Sequence, residues 1–453
     1  MTTNPPDHDP FERDTRAAPD AEAGNPASGP AGPWARIATA RVMVPLGLAL
    51  AAVIVVVVAG GTMLRQPITG TATTSPESSA TPATSTPAAT PATPVPSTPV
   101  PITPSPVASA SGGAGDAIPA DFQPVSVTFV SASRGWVLGA ATCDGTPCAV
   151  IVRTTDGGLD WTRIPAPATQ VVVNGAPSGV RALRFASALD GWAFGPDLWT
   201  THDGGDTWHR EALPGGGTPQ VMALEAAAGT VHVAFWTGDG PQISIASGPT
   251  AGDALQLSPT TVQIGAGPVP QTQIVLHGTA GWLVQLNRDV VGGARLAGGS
   301  WQAWDPPCLG TAGPAWLAAS SATSLVAACD IGLWSTPQGV HLFTSADGGA
   351  TFAEQAGALP ITALAGITTA PSQPTIVAAG DQADGSAALI GRFSPAASWT
   401  AVATLAGGGT FSELGFTTDM QGVAIAQTAD GTIQLLMTRD GGRTWAPVGF
   451  AGG

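Results

Sequence analysis

An eight-residue phrase that recurs along the chain constrains its fold more than any other feature. Each copy starts with Thr or Ser, has Asp at its third position and Gly at its fifth, and ends in Trp or Phe. The four aspartates are 47, 144 and 93 residues apart, close to one, three and two periods of about 47, which predicts seven repeats, three of them degenerate. The aspartate, glycine and final aromatic of each copy are Asp156, Gly158 and Trp161; Asp203, Gly205 and Trp208; Asp347, Gly349 and Phe352; and Asp440, Gly442 and Trp445.

The degenerate repeats are located by counting from the final aromatic. The same period lands on Leu255, Trp301 and Trp399, so every repeat ends in a large apolar residue. Upstream of each lies a short apolar run introduced by a turn, such as Gly135 to Leu138, which is typical of an inner, nearly fully buried strand. Another short strand precedes each run, and a hairpin whose turn is the phrase follows it. Four strands per repeat predict an all-β fold, a seven-bladed β-propeller of four-stranded antiparallel blades.

The residue types of the phrase indicate a structural role. An aspartate at the head of a tight turn accepts hydrogen bonds from the backbone N–H groups that follow it, and glycine supplies the positive φ that such a turn requires. The closing Trp or Phe is expected to fill the wedge between neighbouring sheets. We therefore interpret the phrase as a turn that holds the scaffold.

The phrase is similar to the Asp-box, Ser/Thr-x-Asp-x-Gly-x-Thr-Trp/Phe, of the BNR-repeat propellers. That superfamily includes sialidases, xyloglucan-type endoglucanases, sortilin-type receptor domains and the photosystem II assembly and stability factor family. The resemblance covers residues from about 119 to 453 and implies a propeller over that range. It also implies that the boxes lie on the face opposite the catalytic or ligand-binding mouth. A fold of this kind does not by itself fix an activity.

Three segments precede the predicted propeller. Residues 1–35 are polar, lack periodicity and are predicted to be disordered. Residues 42–64 are apolar and uncharged, long enough to form a transmembrane helix. Residues 66–118 are rich in Pro, Thr, Ser and Ala, which predicts a disordered stalk that samples polyproline II.

The charges beside the apolar segment predict how it is oriented. Two arginines precede it and one follows it, so the N-terminus is expected in the cytoplasm and the propeller outside. The chain would then be a single-pass protein of the cell membrane. The alternative is a cleaved signal peptide, for which Ala59-Gly60-Gly61 is the candidate site.

Composition argues against one class of partner, and cysteine spacing predicts disulfides rather than a metal site. The chain has a net charge of −15, and a surface of that sign argues against nucleic acid. Cys143 and Cys148 bracket one turn, while Cys308 and Cys329 flank the inner strands of the fifth blade, and we predict a disulfide within each pair. No Cys-x-x-Cys pair is present to indicate zinc, and the scattered histidines predict no metal site.

A catalytic function would need particular residues, whose presence the sequence shows. Sialidase-like hydrolysis uses a tyrosine nucleophile and three clamping arginines, but the chain has no Tyr. Arg181 and Arg184 stand in Arg-Ala-Leu-Arg-Phe rather than in Phe-Arg-Ile-Pro, so that mechanism is excluded. Hydrolysis by a pair of carboxylates stays open, because their separation in space cannot be read from a sequence.

Acidic residues in the loops after the inner strands are the candidate binding face. Every blade contributes at least one, and a ring of carboxylates around the mouth would suit calcium or a basic partner. The alternative is ordinary turn chemistry, since several are Asp-Gly dipeptides. Two tryptophans are expected on the same face, where they would suit a sugar or a protein partner unless they pack in the core. The candidates are Asp144, Asp197, Asp239, Asp289, Asp330, Asp381, Asp384, Asp430, Trp236 and Trp334.

Three functions are consistent with these patterns. The first is a noncatalytic, membrane-tethered propeller that recognises a protein or an envelope glycan. The second is a glycoside hydrolase with an unidentified carboxylate pair. The third is an assembly factor like the photosystem II family that the architecture resembles. We expect the first, without a cofactor.

Overall fold

The computed structural model describes residues 117–172, 178–238, 240–266, 270–311, 313–332 and 339–450. The predicted N-terminal region 1–35, the apolar segment 42–64 and all of the predicted stalk except its last two residues lie outside these ranges. In the described part of the chain, no helix has the length and apolar character needed to span a membrane. These residues form 28 strands in seven four-stranded sheets.

Each sheet is one blade, numbered here in chain order. The strands of blades 1 and 2 are β1 (Gln123–Phe129), β2 (Gly135–Cys143), β3 (Thr146–Thr154), β4 (Thr162–Ile164), β5 (Ala182–Phe185), β6 (Gly191–Phe194), β7 (Leu198–Thr201) and β8 (His209–Arg210). Those of blades 3 and 4 are β9 (Gln220–Ala227), β10 (Thr230–Trp236), β11 (Gln242–Pro249), β12 (Gln256–Gln263), β13 (Pro270–His277), β14 (Ala280–Asn287), β15 (Asp289–Ala297) and β16 (Ser300–Trp304).

The remaining blades repeat this arrangement. Blade 5 consists of β17 (Ala315–Ala319), β18 (Leu325–Ile331), β19 (Gly339–Ser345) and β20 (Ala353–Glu354). Blades 6 and 7 consist of β21 (Ala363–Thr369), β22 (Ile376–Asp381), β23 (Ala387–Arg392), β24 (Thr400–Leu405), β25 (Gly409–Phe416), β26 (Gly422–Thr428), β27 (Ile433–Thr438) and β28 (Ala446–Pro447). The prediction of a seven-bladed propeller with four-stranded antiparallel blades is therefore confirmed.

The first strand of each blade is the innermost one. Every blade is an antiparallel meander in which neighbours in sequence are neighbours in the sheet. First strands of adjacent blades lie against one another, as β9 does with β13 and β21 with β25. The apolar runs that we described as inner are the second strands, buried because both of their faces pack against adjacent blades.

The ring closes without an exchanged strand. Among the described strands each blade uses four that are consecutive in sequence, so no strand near Asp121 completes blade 7. Instead, blades 1 and 7 share one apolar cluster that contains Val127 and Met437. Phe122, just before β1, lies edge-on to Phe450 with ring centroids 4.9 Å apart. Packing between the two ends of the propeller thus replaces strand pairing at the closure.

Antiparallel order separates the connections into two faces. The phrases join third to fourth strands, on the same face as the turns between first and second strands. Gly157 of the first phrase, for example, donates its N–H to the carbonyl oxygen of Ser133 in the β1–β2 turn, at 2.7 Å. We call this the phrase face. The loop face is the opposite one, formed by the turns between second and third strands and the connections between blades.

Both predicted disulfides are confirmed. Cys143 at the end of β2 is bonded to Cys148 in β3, which closes the β2–β3 hairpin. Cys308, in the connection before β17, is bonded to Cys329 in β18. All four cysteines of the chain are paired, so none is a free thiol.

Candidate functional site

Hydrogen bonds inside the phrase hold it as a rigid turn. In blade 1, Thr154 donates its hydroxyl to Asp156 Oδ1 at 2.7 Å and accepts the N–H of Gly158 at 2.9 Å. The same carboxyl oxygen accepts the N–H groups of Leu159 and Asp160, at 3.0 and 3.1 Å. Gly157 and Gly158 have φ angles of 82° and 87°, a conformation that a side chain would disfavour.

The other three phrases are held in a similar way and add a bond from the Thr hydroxyl at their seventh position. Asp347 accepts the Thr351 hydroxyl at 2.6 Å and the Thr351 N–H at 2.9 Å, and these bonds hold its pKa far below the usual range. Burial alone would raise the pKa of Asp203 and Asp440, but their hydrogen bonds outweigh it and lower both values. These aspartates remain ionised as acceptors and are fully engaged within their turns.

The final aromatics pack where the repeat spacing predicts. Trp161 and Trp208 are buried in the clusters between adjacent blades, whereas Phe352 and Trp445 are partly buried at the edge of theirs. Of the degenerate positions, Trp301 is the second residue of β16 and is buried, Trp399 directly precedes β24, and Leu255 directly precedes β12. The aromatic of the phrase therefore marks the start of the outermost strand.

A buried ionic cluster lies on the innermost strands around the propeller axis. Arg184 of β5 donates from Nε to Glu225 Oε1 of β9 at 2.8 Å, and from Nη1 to Glu413 Oε2 of β25 at 3.3 Å. Ser126 of β1 donates its hydroxyl to the same Glu413 oxygen at 3.1 Å. We call these four residues, which come from blades 7, 1, 2 and 3, the axial cluster.

The axial cluster holds two carboxylates against one guanidinium, out of contact with solvent. The side chains of Arg184, Glu225 and Glu413 are 3%, 11% and 4% exposed. Burial raises the pKa of Glu225 to about 7, although Arg184 opposes the shift, and burial likewise raises the pKa of Glu413. Two buried carboxyl groups that share one cation are most stable when one of them is protonated.

Side chains of the innermost strands also bond to the backbone of the next blade. Ser126 accepts the N–H of Leu183 at 3.0 Å, and Glu413 accepts the N–H of Val127 at 3.5 Å. The Gln273 amide of blade 4 both accepts from the N–H of Leu317 and donates to its carbonyl, at 3.0 and 3.1 Å. These contacts satisfy backbone polar groups on the inner edges of blades 1, 2 and 5, which would otherwise be unpaired.

The sequence analysis did not predict the axial cluster, although the charged residues of the cluster are visible in the sequence. Glu225, Arg184 and Glu413 are the charged residues of their otherwise apolar or neutral strands. A charged residue in a buried strand is rarely tolerated without a partner. Glu413 also has a φ of 52° at a bulge in β25, a backbone conformation that costs of order 1–3 kcal/mol.

The structure places the described candidate aspartates at the loop face but in different environments. Asp144, Asp381, Asp384 and Asp430 are exposed, Asp197 and Asp289 are half-buried, and Asp330 is buried. Asp239 and Trp334 lie outside the described residues. Trp236 is partly buried at the end of β10 and donates its indole N–H to the carbonyl of Gly240 at 2.7 Å.

Turn chemistry accounts for the contacts of several of these carboxylates. Asp384 Oδ1 accepts the hydroxyl and the N–H of Ser386, at 2.6 and 2.9 Å, and these bonds lower its pKa. Asp430 is held in the same way by Thr428 and Thr432, which lower its pKa. Asp197 accepts the N–H of Gly179 at 2.9 Å and pairs with exposed Arg210.

Asp330 does not belong to an exposed ring of acids. It is 1% exposed, and burial raises the pKa of its carboxyl. Its Oδ2 atom has no hydrogen-bond partner among the described residues. Nor do any three His, Cys, Asp or Glu side chains in the described part of the chain come close enough together to hold a metal ion.

The exposed members of the set concentrate in one sector. Asp144 belongs to blade 1, Asp430 to blade 7, and Asp381 and Asp384 to blade 6. Blades 6, 7 and 1 are consecutive around the closed ring, because blade 7 packs on both blade 6 and blade 1. We call these four residues the acidic sector.

The similarity of this chain to known proteins is a similarity of fold alone. No protein-family model matches this sequence, and no curated protein matches it. Among solved structures, "YCF48 bound to D1 peptide" is 17% identical with a TM-score of 0.48, covering 71% of this chain and 95% of that chain. The β-propeller domain of the Trilobed protease from Pyrococcus furiosus is 8% identical with a TM-score of 0.49, covering 73% and 98%.

An enzyme is also among the similar structures. The GH74 enzyme from Niastella koreensis is 12% identical with a TM-score of 0.37, and the match covers 73% of this chain and 66% of that chain. Similar structures therefore include enzymes and non-enzymes. The chain is a β-propeller, and its activity has to be argued from its own residues.

Proposed function

We propose that this chain is a noncatalytic propeller, tethered to the membrane and displayed outside the cytoplasm, which binds a protein or an envelope glycan through its loop face. The observation that carries this proposal is the acidic sector, in which Asp144, Asp381, Asp384 and Asp430 are exposed on three consecutive blades. Carboxylates left exposed on one side of a face create a directional negative potential, which suits a partner with positive charge or hydrogen-bond donors.

The axial cluster is not a carboxylate pair that a glycan substrate could reach. Glu225 and Glu413 are the two buried carboxylates that approach the same point near the axis, and Arg184 bonds to both. Their side chains are at most 11% exposed. A glycosidase needs one carboxyl as the acid and a second as the nucleophile or base, both in reach of the substrate.

Capture from envelope extract tests the proposal. The full chain in detergent is compared with a variant in which Asp144, Asp381, Asp384 and Asp430 are changed to Asn. The control changes Asp160, Asp206, Asp253 and Asp419 to Asn, which alters the net charge equally at loops of the phrase face. We expect a partner that the native chain and the control enrich and that the first variant does not.

The outcomes separate the candidate functions. Equal enrichment by all three proteins would overturn the loop face as the binding surface. If none of the three enriches a protein or a glycan, the binding role fails, and release of reducing sugar from envelope polysaccharide becomes the next measurement. A captured partner that is itself an incompletely assembled membrane complex would favour the assembly-factor alternative.

A further inference from the structure

A preformed pocket opens on the loop face at the seam between blades 5 and 6. Its walls are the connection between these blades, residues 359–362, and the β22–β23 turn, residues 382–384. The pocket is shallow and open to solvent, with a volume of about 430 Å³. It is therefore large enough to take a bulky side chain.

The floor of the pocket is apolar and fixed by the core beneath it. Leu359 and Ile361 are 4% and 3% exposed and belong to the apolar cluster that joins blades 5 and 6, so they support the floor from below. The apolar surface that a ligand would meet comes from Pro360 and Ala383, which are exposed. Leu359 donates its N–H to the carbonyl of Val340 at 2.7 Å, and Thr362 donates its N–H to that of Asp381 at 2.6 Å. A floor held in this way loses little freedom when a ligand binds.

The β22–β23 turn that forms the other wall is also rigid. Gln382 donates its N–H to the carbonyl of Ser386 at 2.7 Å, and Gly385 donates to that of Gln382 at 3.0 Å. Ser386 in turn bonds to the Asp384 carboxyl. The rim is thus set in place before any ligand arrives.

The rim is acidic, and the described residues that line it include no cation. Asp384 lines the pocket, and its bonds to Ser386 lower its pKa, so it is ionised near neutral pH. Asp381 directly precedes Gln382 and is exposed, although loss of hydration beside the strand end raises the pKa of its carboxyl. None of the seven lining residues is basic.

We propose that this pocket docks an extended basic–apolar segment of a partner protein, with an apolar side chain against Pro360 and Ala383 and a Lys or Arg beside Asp381 and Asp384. This inference rests on the proposed function and names the chemistry of its partner. Charge complementarity selects the occupant: an acidic or neutral peptide would leave the rim carboxylates unpaired beside an apolar surface. In an extended peptide, side chains two residues apart share a face, so the two anchors would be separated by one residue.

Fluorescence anisotropy with defined peptides tests the pocket, using the full chain in detergent at low salt. The probe is the labelled, end-blocked peptide Gly-Ser-Phe-Ser-Arg-Gly-Ser. The comparison peptides carry Glu in place of Arg, or Ala in place of Phe. We expect the probe to bind about tenfold more tightly than either, because both anchors contribute.

Two variants of the chain locate the binding. D381N/D384N removes the charge of the rim, and the amide oxygen introduced at position 384 keeps an acceptor for Ser386. This variant should bind the probe about five- to tenfold more weakly. A383W fills the pocket from an exposed position and should abolish binding. The matched control, D160N/D206N, removes two exposed charges from the phrase face and should leave affinity unchanged. Thermal unfolding checks that all three variants fold.

The results distinguish this inference from the proposed function. Equal affinity for the three peptides, or binding that survives A383W in a folded protein, would overturn the pocket. If envelope capture still depends on the acidic sector, the proposed function stands without it. Displacement of the probe by an envelope glycan, with no peptide selectivity, would assign the pocket to a carbohydrate instead and overturn the proposal.

Discussion

The indole nitrogen of Trp136 in blade 1 donates a hydrogen bond to the carbonyl oxygen of Gly204 in the phrase of blade 2, at 3.1 Å. Trp282 in blade 4 makes the same bond to Gly348 in blade 5, at 3.0 Å. In both cases a second-strand tryptophan reaches a phrase glycine of the following blade. The phrase is therefore a docking point between blades as well as a turn within one.

Replacing Trp136 with Phe should lower the free energy of unfolding by roughly 1–2 kcal/mol, since it removes the buried donor and part of the ring. Trp136 is fully buried and stacks on Phe185, with ring centroids 3.8 Å apart, a contact that Phe can keep in part. Urea unfolding measures the change. Arg153→Met is the comparison: Arg153 also bonds to Gly204, but it is part-exposed and should matter less. A larger loss of stability in Arg153→Met than in Trp136→Phe would contradict the role given to the Trp136 hydrogen bond.

Acid should destabilise the propeller through the phrase aspartates. The Thr351 hydroxyl and N–H lower the pKa of Asp347 in the folded state, below the ordinary value of 3.8. A depressed folded pKa contributes stability that is present above the unfolded pKa and is lost as pH falls through the folded one. We expect Tm to fall steeply below about pH 4. Asp347→Asn should lower Tm at pH 7 and make it less sensitive to acid; a parallel pH profile would contradict this.

Much of the scaffold follows from local sequence. The hydrogen bonds of the phrase span at most four positions, so the turn at Asp156 and its bond from the Leu159 N–H were predicted from the sequence. The bond from the Thr154 hydroxyl was not predicted. Repeat spacing then fixed the number of blades. The disulfides followed because each cysteine pair brackets or flanks a strand of one blade.

The axial cluster did not follow, because its contacts are distant in sequence. Arg184 meets Glu413 across 229 residues, and only closure of the ring brings them together. Equivalent loop positions also differ in burial: Asp330 is enclosed between blades 5 and 6, whereas Asp430 projects from blade 7. A repeat pattern predicts the same environment for equivalent positions of different blades, although their tertiary neighbours differ.

Glu225 should make stability fall as pH rises toward neutrality. Burial raises its pKa from 4.5 to about 7. A raised folded pKa contributes stability that is fully present below the unfolded value and is lost as pH rises through the folded one, here between about 4.5 and 7. The Tm of Glu225→Gln minus that of the native chain should therefore increase from pH 5 to pH 8. Exposed Asp160→Asn is the control. A difference in Tm between Glu225→Gln and the native chain that stays constant with pH would contradict the shift.

Removing the shared cation should cost more than removing either acid. Arg184→Met leaves Glu225 and Glu413 buried without a counter-ion, and breaking a buried pair in this way typically costs roughly 3–5 kcal/mol. The loss should be smaller at pH 5, where the two carboxyls take up protons. Adding Glu225→Gln and Glu413→Gln to Arg184→Met should recover part of the stability at pH 8. A triple variant no more stable than the single one would show that Arg184 acts through packing instead.

The two disulfides should contribute unequally to stability. Cys143–Cys148 closes a loop of sequence separation 5, and Cys308–Cys329 one of separation 21. A longer loop loses more unfolded-state entropy when it is closed, so replacing the second pair with Ala should lower the free energy of unfolding by about 1 kcal/mol more than replacing the first. Guanidinium unfolding of the two double variants measures the difference. Thiol titration of the denatured native chain without reductant should find no free cysteine. An equal cost for the two pairs would contradict the loop-closure argument, which predicts the difference from the length of chain that each bridge encloses.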